Sequence, residues 1–257
     1  MYLYGPVFSR RLGYSLGVDL LGSRVCDFEC LYCQLGRTAK KTCRRFQRVD
    51  LKVLGRELDA GLSRGRKIDY VTISGSGEPT LHKHLDKIIA LIKKKTGRRI
   101  KTCVITNGSL LWMPRVRKEL LAADLVMPSL DASGEDAFKK INRSLKGLTL
   151  AKVVSGIIAF RKVYKGKLWL EIMLIRGLND SDASVKGLIG LIKRIRPDKV
   201  FLNVPERPAP SAKRPLMPAK ARIKKFEQAI GWVCSLVKAK TLPRDAAPSL
   251  VNAQRHA

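Results

Sequence analysis

Three cysteines, Cys26, Cys30 and Cys33, stand within the stretch VCDFECLYCQLG, residues 25–36. As thiolates they are ligands for a thiophilic metal, and all three fit in one loop. A closed zinc site needs four such ligands, commonly as two separated CxxC pairs. Cys43 could supply a fourth, but it sits apart in the basic segment RTAKKTCRRFQR. An iron–sulfur cluster held by three cysteines instead leaves one iron open for a substrate or cofactor. Cys103 and Cys234 fall in strand-like and helix-like stretches and read as small core residues.

Other residues have the types and places that a site needs. SGSGEPTL, residues 74–81, follows a strand at its C-terminal end, where sites of α/β barrels assemble. There Gly75 and Gly77 allow close backbone approach to a ligand, Ser76 lies between them, and Glu78 presents an acceptor. Taken alone, Pro79 at a first helical position makes the same stretch a plain strand-to-helix turn. Asn107 and Gly108 in ITNGSLL end another strand, which alone signals only a turn. Ser129 and Asp131 share a parity and point to one face of their strand. They are free for a role there, because Ser133 and Asp136 form the cap pair of the next helix. Glu171 lies inside the apolar strand LWLEIMLI and needs either a buried cation or a ligand. His82 and His84 open a helix beside the GEP segment, on the surface by default and within reach of a substrate otherwise.

The elements that must position these residues alternate along the chain. Strands are expected at 15–21, 70–74, 101–106, 124–131, 168–175 and 199–204, and helices near 50–64, 81–95, 114–122, 149–163, 182–195 and 217–239. In SDASVKGLIGLIKRI the spacing of Val185, Leu188, Leu191 and Ile192 makes one apolar face, with Ser181 or Asp182 as cap. Such alternation predicts βαβ units and a parallel sheet. Six units fall short of a closed barrel of eight, so the fold expected is α/β, a partial (β/α)6 barrel of parallel strands. Residues 1–242, ending in the C-terminal helix, form one domain, and the aperiodic tail 243–257 is expected to be disordered.

The 257 residues carry 51 Lys and Arg against 21 Asp and Glu, a formal net charge of +30. The excess gathers at 37–48, at 93–101 and from Lys213 to Lys225, a field that attracts polyanions such as RNA. Phe46 is the one aromatic residue interleaved there, short of what a base-stacking platform would need, and a solvated basic surface is the plainer reading. Pro6, Arg10, Arg11 and Asp19 interrupt the N-terminal stretch, and no apolar run spans a bilayer, so a soluble cytoplasmic protein without membrane attachment is expected. Scattered cysteines do not make a secreted disulfide framework.

CxxxCxxC with an aromatic residue, Tyr32, before its last cysteine resembles the signature of the radical S-adenosylmethionine (SAM) superfamily. The likeness covers roughly residues 5–210. GPVFSRRLGYSLGVDLL and CLYCQLGRT resemble a branch of iron–sulfur oxidoreductases loosely related to wyosine-base-forming and nitrogenase-cofactor-type radical SAM proteins. The resemblance implies a partial (β/α)6 barrel and a [4Fe-4S] cluster on Cys26, Cys30 and Cys33 whose fourth iron is chelated by SAM. It implies that the segment Gly75–Pro79 holds the SAM amino group, with Ser76 where many members have glycine. By the same likeness Asn107 lines the site, Ser129 and Asp131 approach the ribose and methionine, and Glu171 and Asn203 join the cofactor-binding set, Asn203 beside the adenine. Asn142-Arg143 matches an INR stretch of that branch. A ferredoxin- or flavodoxin-type donor is implied as the source of electrons. The substrate stays open between an RNA base and a protein or small molecule, glycyl-radical activation included. A non-catalytic zinc or RNA-binding module is the reading from outside enzymology.

Overall fold

The computed structural model describes residues 1–97, 99–207, 209–210, 212, 216–230 and 234–236. β1 (Leu3–Ser9) and β2 (Gly13–Val18) form an antiparallel hairpin, followed by a loop that holds the short strands β3 (Val25–Cys26) and β4 (Lys40–Lys41). Then come α1 (Leu51–Leu62), β5 (Tyr70–Ile73), a 3-10 turn (Pro79–Leu81), α2 (Leu85–Thr96), β6 (Lys101–Thr106), α3 (Pro114–Leu120) and β7 (Leu125–Pro128). α4 (Glu135–Asn142), α5 (Leu150–Val163), β8 (Lys167–Met173), α6 (Asp182–Ile195), β9 (Lys199–Asn203), α7 (Lys220–Ile230) and β10 (Cys234–Leu236) follow among the described residues. The main sheet runs β1-β2-β5-β6-β7-β8-β9-β10, and every pairing from β2 onward is parallel. This curled sheet with its helices is the half-barrel expected from the sequence.

Alternation along the strands separates two apolar faces. Val71, Ile73, Val104, Val126, Leu170, Ile172 and Val200 pack with the helices in the main core. Their neighbours Cys103, Leu125, Met127 and Phe201 form a second cluster on the other face, with Tyr70, Ile105 and Trp169 beside it. Leu12, from the turn between β1 and β2, is only 4% exposed and completes that cluster. The hairpin tip therefore fills the hollow of the sheet. Burying one such leucine contributes about 1.5–3 kcal/mol, enough to fix the turn that carries it.

Several boundaries differ from those expected. β1 had no strand reading, because Gly5 and Pro6 break its pattern. α4 went unlisted for its shortness, and its N-cap is Gly134; Ser133 instead donates its hydroxyl to the carbonyl of Ser184 on α6. α2 begins at Leu85 because Glu78 caps a separate 3-10 turn, after which His84 takes a left-handed conformation, φ 62°. The last helix stops at Ile230, and Cys234 lies in β10. The tail 243–257 and part of the basic run 213–225 lie outside the described residues. Among the described residues no helix is long and apolar enough to cross a membrane.

Candidate active site

The cysteine loop springs from the end of β2 and is pinned from two sides. Asp19 accepts the amides of Leu21, 3.0 Å, and Gly22, 3.2 Å, through one oxygen. Its other oxygen accepts the amide of Ser76, 3.1 Å, and the Ser76 hydroxyl, 2.6 Å. The loop is thus tied to the 74–78 turn at the end of β5. From the other side the C-terminus of α4 supplies carbonyls that a helix end leaves unpaired. The amide of Glu29 donates to Asn142 O, 2.9 Å, and that of Leu31 to Ile141 O, 2.8 Å. This gives the INR stretch its structural part.

The same packing decides the glycines. A Cβ on Gly77 would lie 1.9 Å from the carbonyl oxygen of Val25, which accepts the Glu78 amide at 3.1 Å. Gly75 has φ +148°, and a Cβ there would fall 2.5 Å from the Asp19 carboxyl carbon. Both glycines line the cavity described below, yet each is required by the chain packing on itself rather than by ligand approach. Ser76 is buried at 4% exposure with its hydroxyl turned to Asp19.

Three buried carboxylates stand around the loop. Glu78 is 2% exposed, and its Oε1 accepts the Thr80 amide, 2.9 Å, the Thr80 hydroxyl, 2.5 Å, and the Thr106 hydroxyl, 2.6 Å. Its Oε2 accepts the Asn107 amide at 2.7 Å and so joins the ends of β5 and β6. Asp27, fully buried, accepts Asn107 Nδ2 at 2.7 Å and the Ser109 hydroxyl. Burial pushes both acids up, and Asp27 adds its charge to the effect on Glu78. Asp131, 2% exposed, accepts the Tyr32 hydroxyl, 2.6 Å, Asn142 Nδ2, 2.9 Å, and the Met173 amide, 2.8 Å.

Donors reach the sulfurs as well. Cys26 Sγ accepts the Phe28 amide, 3.4 Å, and Asn107 Nδ2, 3.6 Å, while Cys30 Sγ accepts Asn142 Nδ2, 3.5 Å. N–H groups aimed at sulfur suit metal-bound thiolates, whose negative charge they stabilise. Burial raises both thiols, Cys26 well above its ordinary value and Cys30 to about 12, with Asp27 and Asp131 adding to the rise. A metal held by these thiols would have to drive their protons off. Among the described residues no three His, Cys, Asp or Glu groups gather around one ion. Cys43 packs half-buried against the main core and does not line the cavity.

A cavity of about 560 Å³ opens beside Cys26 and Cys33. That is the size range of small-molecule sites. Gly75, Gly77, Glu78, Pro79, Asn107 and Ser129 line it together with Tyr32, Thr106 and Met173. Ser76, Asp131, Glu171 and Asn203 are not among its lining residues. Asp131 is spent on Tyr32 and Asn142 behind the loop. Glu171 pairs with Arg11 and accepts Asn203 Nδ2 at 3.2 Å, the buried-cation alternative for that residue. His82 is neither at the surface nor in the cavity: 2% exposed, its Nε2 accepts the amides of Arg48 and Val49, 3.2 Å each. Arg45, from the basic run, is bound to Glu119 and to the carbonyls of Thr80 and His82.

Sequence reasoning did not single out Asp27, Arg10, Arg11, Glu206 or Arg207. An acid beside Phe28 inside a cysteine loop was the available signal for Asp27. Nothing local marked the others, which meet only in the folded chain.

The sequence model of the radical SAM superfamily matches residues 20–186. The chain is 45% identical over 202 residues to a protein of Brachyspira hyodysenteriae named GTPase Obg, covering 78% of this chain and 29% of that one. It is 37% identical over 212 residues to a UPF0026 protein of Methanocaldococcus jannaschii, covering 82% of this chain and 65% of the relative. The chain thus spans less than two thirds of either relative. Among solved structures, TYW1 with a lysine-pyruvate adduct bound superposes with a TM-score of 0.60 at 20% identity, over 84% of this chain and 72% of that one, a likeness of fold.

Proposed function

The chain belongs to the radical SAM superfamily, and from that membership we propose that Cys26, Cys30 and Cys33 hold a [4Fe-4S] cluster with SAM in the cavity beside them. The single observation that carries this reading is the superfamily match, which spans the cysteine loop and the turns that line the cavity next to it. When bound, cluster and cofactor supply one-electron cleavage of SAM to methionine and a 5′-deoxyadenosyl radical, which takes a hydrogen atom from the substrate.

The chain's own residues bind, orient and shield. Asn107 and Asn142 brace the sulfurs of Cys26 and Cys30. Glu78 faces the cavity with acceptor capacity left on Oε2, suited to an ammonium group. Ser129 and Asn107 offer hydrogen bonds to hydroxyls, while Ile105, Met173 and Val204 give walls that exclude water from a reactive intermediate. A low-potential donor of ferredoxin or flavodoxin type supplies the electron, in a reducing cytoplasm. The substrate we favour is an RNA base, supported by the net charge of +30.

Anaerobic reconstitution with iron and sulfide tests the reading. Wild type and Cys43→Ala are expected to bind iron and sulfide and to release 5′-deoxyadenosine when reduced with SAM; Cys26→Ala, Cys30→Ala and Cys33→Ala are not. Zinc without sulfide in the purified protein would overturn it. Separate RNA, protein and small-molecule fractions of a cell extract then show which one is altered.

A further inference from the structure

Two elements outside the superfamily match contribute to the cavity wall. One is the turn between β1 and β2, with Arg10 and Arg11; the other follows β9, with Val204, Pro205, Glu206 and Arg207. The match runs from 20 to 186, so this wall lies outside the matched residues. The residues proposed above for the cluster and for the ammonium group of SAM fall within the match, which leaves the wall outside it for the substrate.

The wall is built and held. Leu12 anchors the turn in the hollow of the sheet, the Ser9 hydroxyl accepts the amides of Arg11 and Leu12 at 3.3 Å each, and Arg11 pairs with the buried Glu171. Arg10 then reaches across to Glu206 at 2.8 Å and joins the two elements. With Arg11 neutralised by Glu171 and Arg10 facing Glu206, Arg207 leaves one positive charge in excess. Among the described lining residues the cations are all arginines, with no lysine. Guanidinium groups present paired N–H donors to an oxyanion, which an ammonium cannot match in geometry.

We propose that Arg10 and Arg207, with Glu206 between them, form a substrate subsite that takes an oxyanion, phosphate or carboxylate, in the cavity that Cys26 and Cys33 also line. The subsite rests on the reading that the cysteine end receives cluster and SAM. Glu206 holds Arg10 in place until the oxyanion arrives and competes for it afterwards, which favours anions able to engage both guanidiniums.

The test is protection of arginines from phenylglyoxal in the reconstituted enzyme, mapped residue by residue by mass spectrometry. Inorganic phosphate and acetate are the two probes, and exposed Arg66 serves as internal control. Phosphate or acetate is expected to slow modification of Arg10 and Arg207 several-fold while Arg66 is unaffected, and the better protector identifies the kind of oxyanion. In Arg207→Ala the protection of Arg10 is expected to fall, with SAM affinity unchanged. Equal modification of Arg10 and Arg207 with and without both anions would overturn the subsite. So would protection by SAM alone, or loss of SAM affinity in Arg207→Ala, either of which would give these arginines to the cofactor. Protection needs no SAM, so failure of wild type to bind SAM would count against the cofactor reading alone.

Discussion

Asn107 and Asn142 stand in the same relation to the cysteine loop, one at each side of it. Each amide nitrogen donates to a cysteine sulfur and to a buried carboxylate: Asn107 to Cys26 and Asp27, Asn142 to Cys30 and Asp131. The carboxylates fix the amides, and the amides then point at sulfur.

Asn107→Ala and Asn142→Ala should therefore each lower the reduction potential of the reconstituted cluster, because N–H donors favour its more negative reduced form. Each should also cost about 1–3 kcal/mol of stability by leaving a buried carboxylate short of a donor. Potentiometric titration followed by spin resonance measures the first effect. An unchanged potential in both variants would reduce the asparagines to packing.

Glu78 joins two strand ends, so its loss reaches beyond ligand binding. Glu78→Ala strips an acceptor from the Thr80 amide and hydroxyl, the Thr106 hydroxyl and the Asn107 amide. A loss of roughly 3 kcal/mol or more is expected in urea unfolding. Glu78→Gln, nearly the same shape, should fold better yet bind SAM about ten- to a hundredfold more weakly if the carboxylate receives the ammonium. Equal SAM affinity in Glu78→Gln and wild type would leave Glu78 a purely structural tie.

His82 gives the fold an acid-side weakness. Burial lowers its pKa from 6.5 to about 4, since its Nε2 must stay an acceptor for Arg48 and Val49. Between those values the unfolded chain binds a proton that the folded chain refuses, so stability falls as pH falls. The contribution is fully present above pH 6.5 and is lost through the window down to about 4, at most about 3 kcal/mol. In His82→Gln, thermal unfolding from pH 7 to 4.5 should show a shallower decline than wild type. Parallel profiles would show that other groups set the slope.

The basic segment holds both paired and exposed cations. Arg45 is buried against Glu119, and Arg48 donates to Leu21 O and the Ser23 hydroxyl, so reversing either would test folding. Arg37, Lys40 and Arg44 are exposed. If RNA binds there, their reversal to Glu should flatten the slope of log K against log salt by about 2, at about 0.7 per single-strand phosphate contact. Filter binding across a salt series measures it. An unaltered slope would move the RNA surface elsewhere or remove RNA as the substrate.

Strands buried on both faces were legible because YVTIS, KTCVIT and KVFLNV are short apolar runs between helical periods. β1 was not, since its Pro6 and Gly5 look like a loop until β2 pairs with it. The cysteines and the GEP and TNG turns could be read as site-forming from type and place. What the sequence hid was long-range pairing. Glu171 asked for a partner, and Arg11 lies 160 positions away in the chain. Asp131 and Ser129 share parity, yet Ser129 lines the cavity whereas Tyr32 and Asn142 draw Asp131 behind the loop. Parity fixes a direction and not the neighbour met there.

The end of α4 holds the amides of Glu29 and Leu31 through hydrogen bonds of the chain itself. If those bonds keep the loop without iron, loading is a docking event and not a folding one. Apoprotein stripped by a chelator should keep its far-ultraviolet circular dichroism and regain full iron without passing through denaturant. Were the proposed cluster lost to oxidation, new iron and sulfide would then restore it on the same polypeptide.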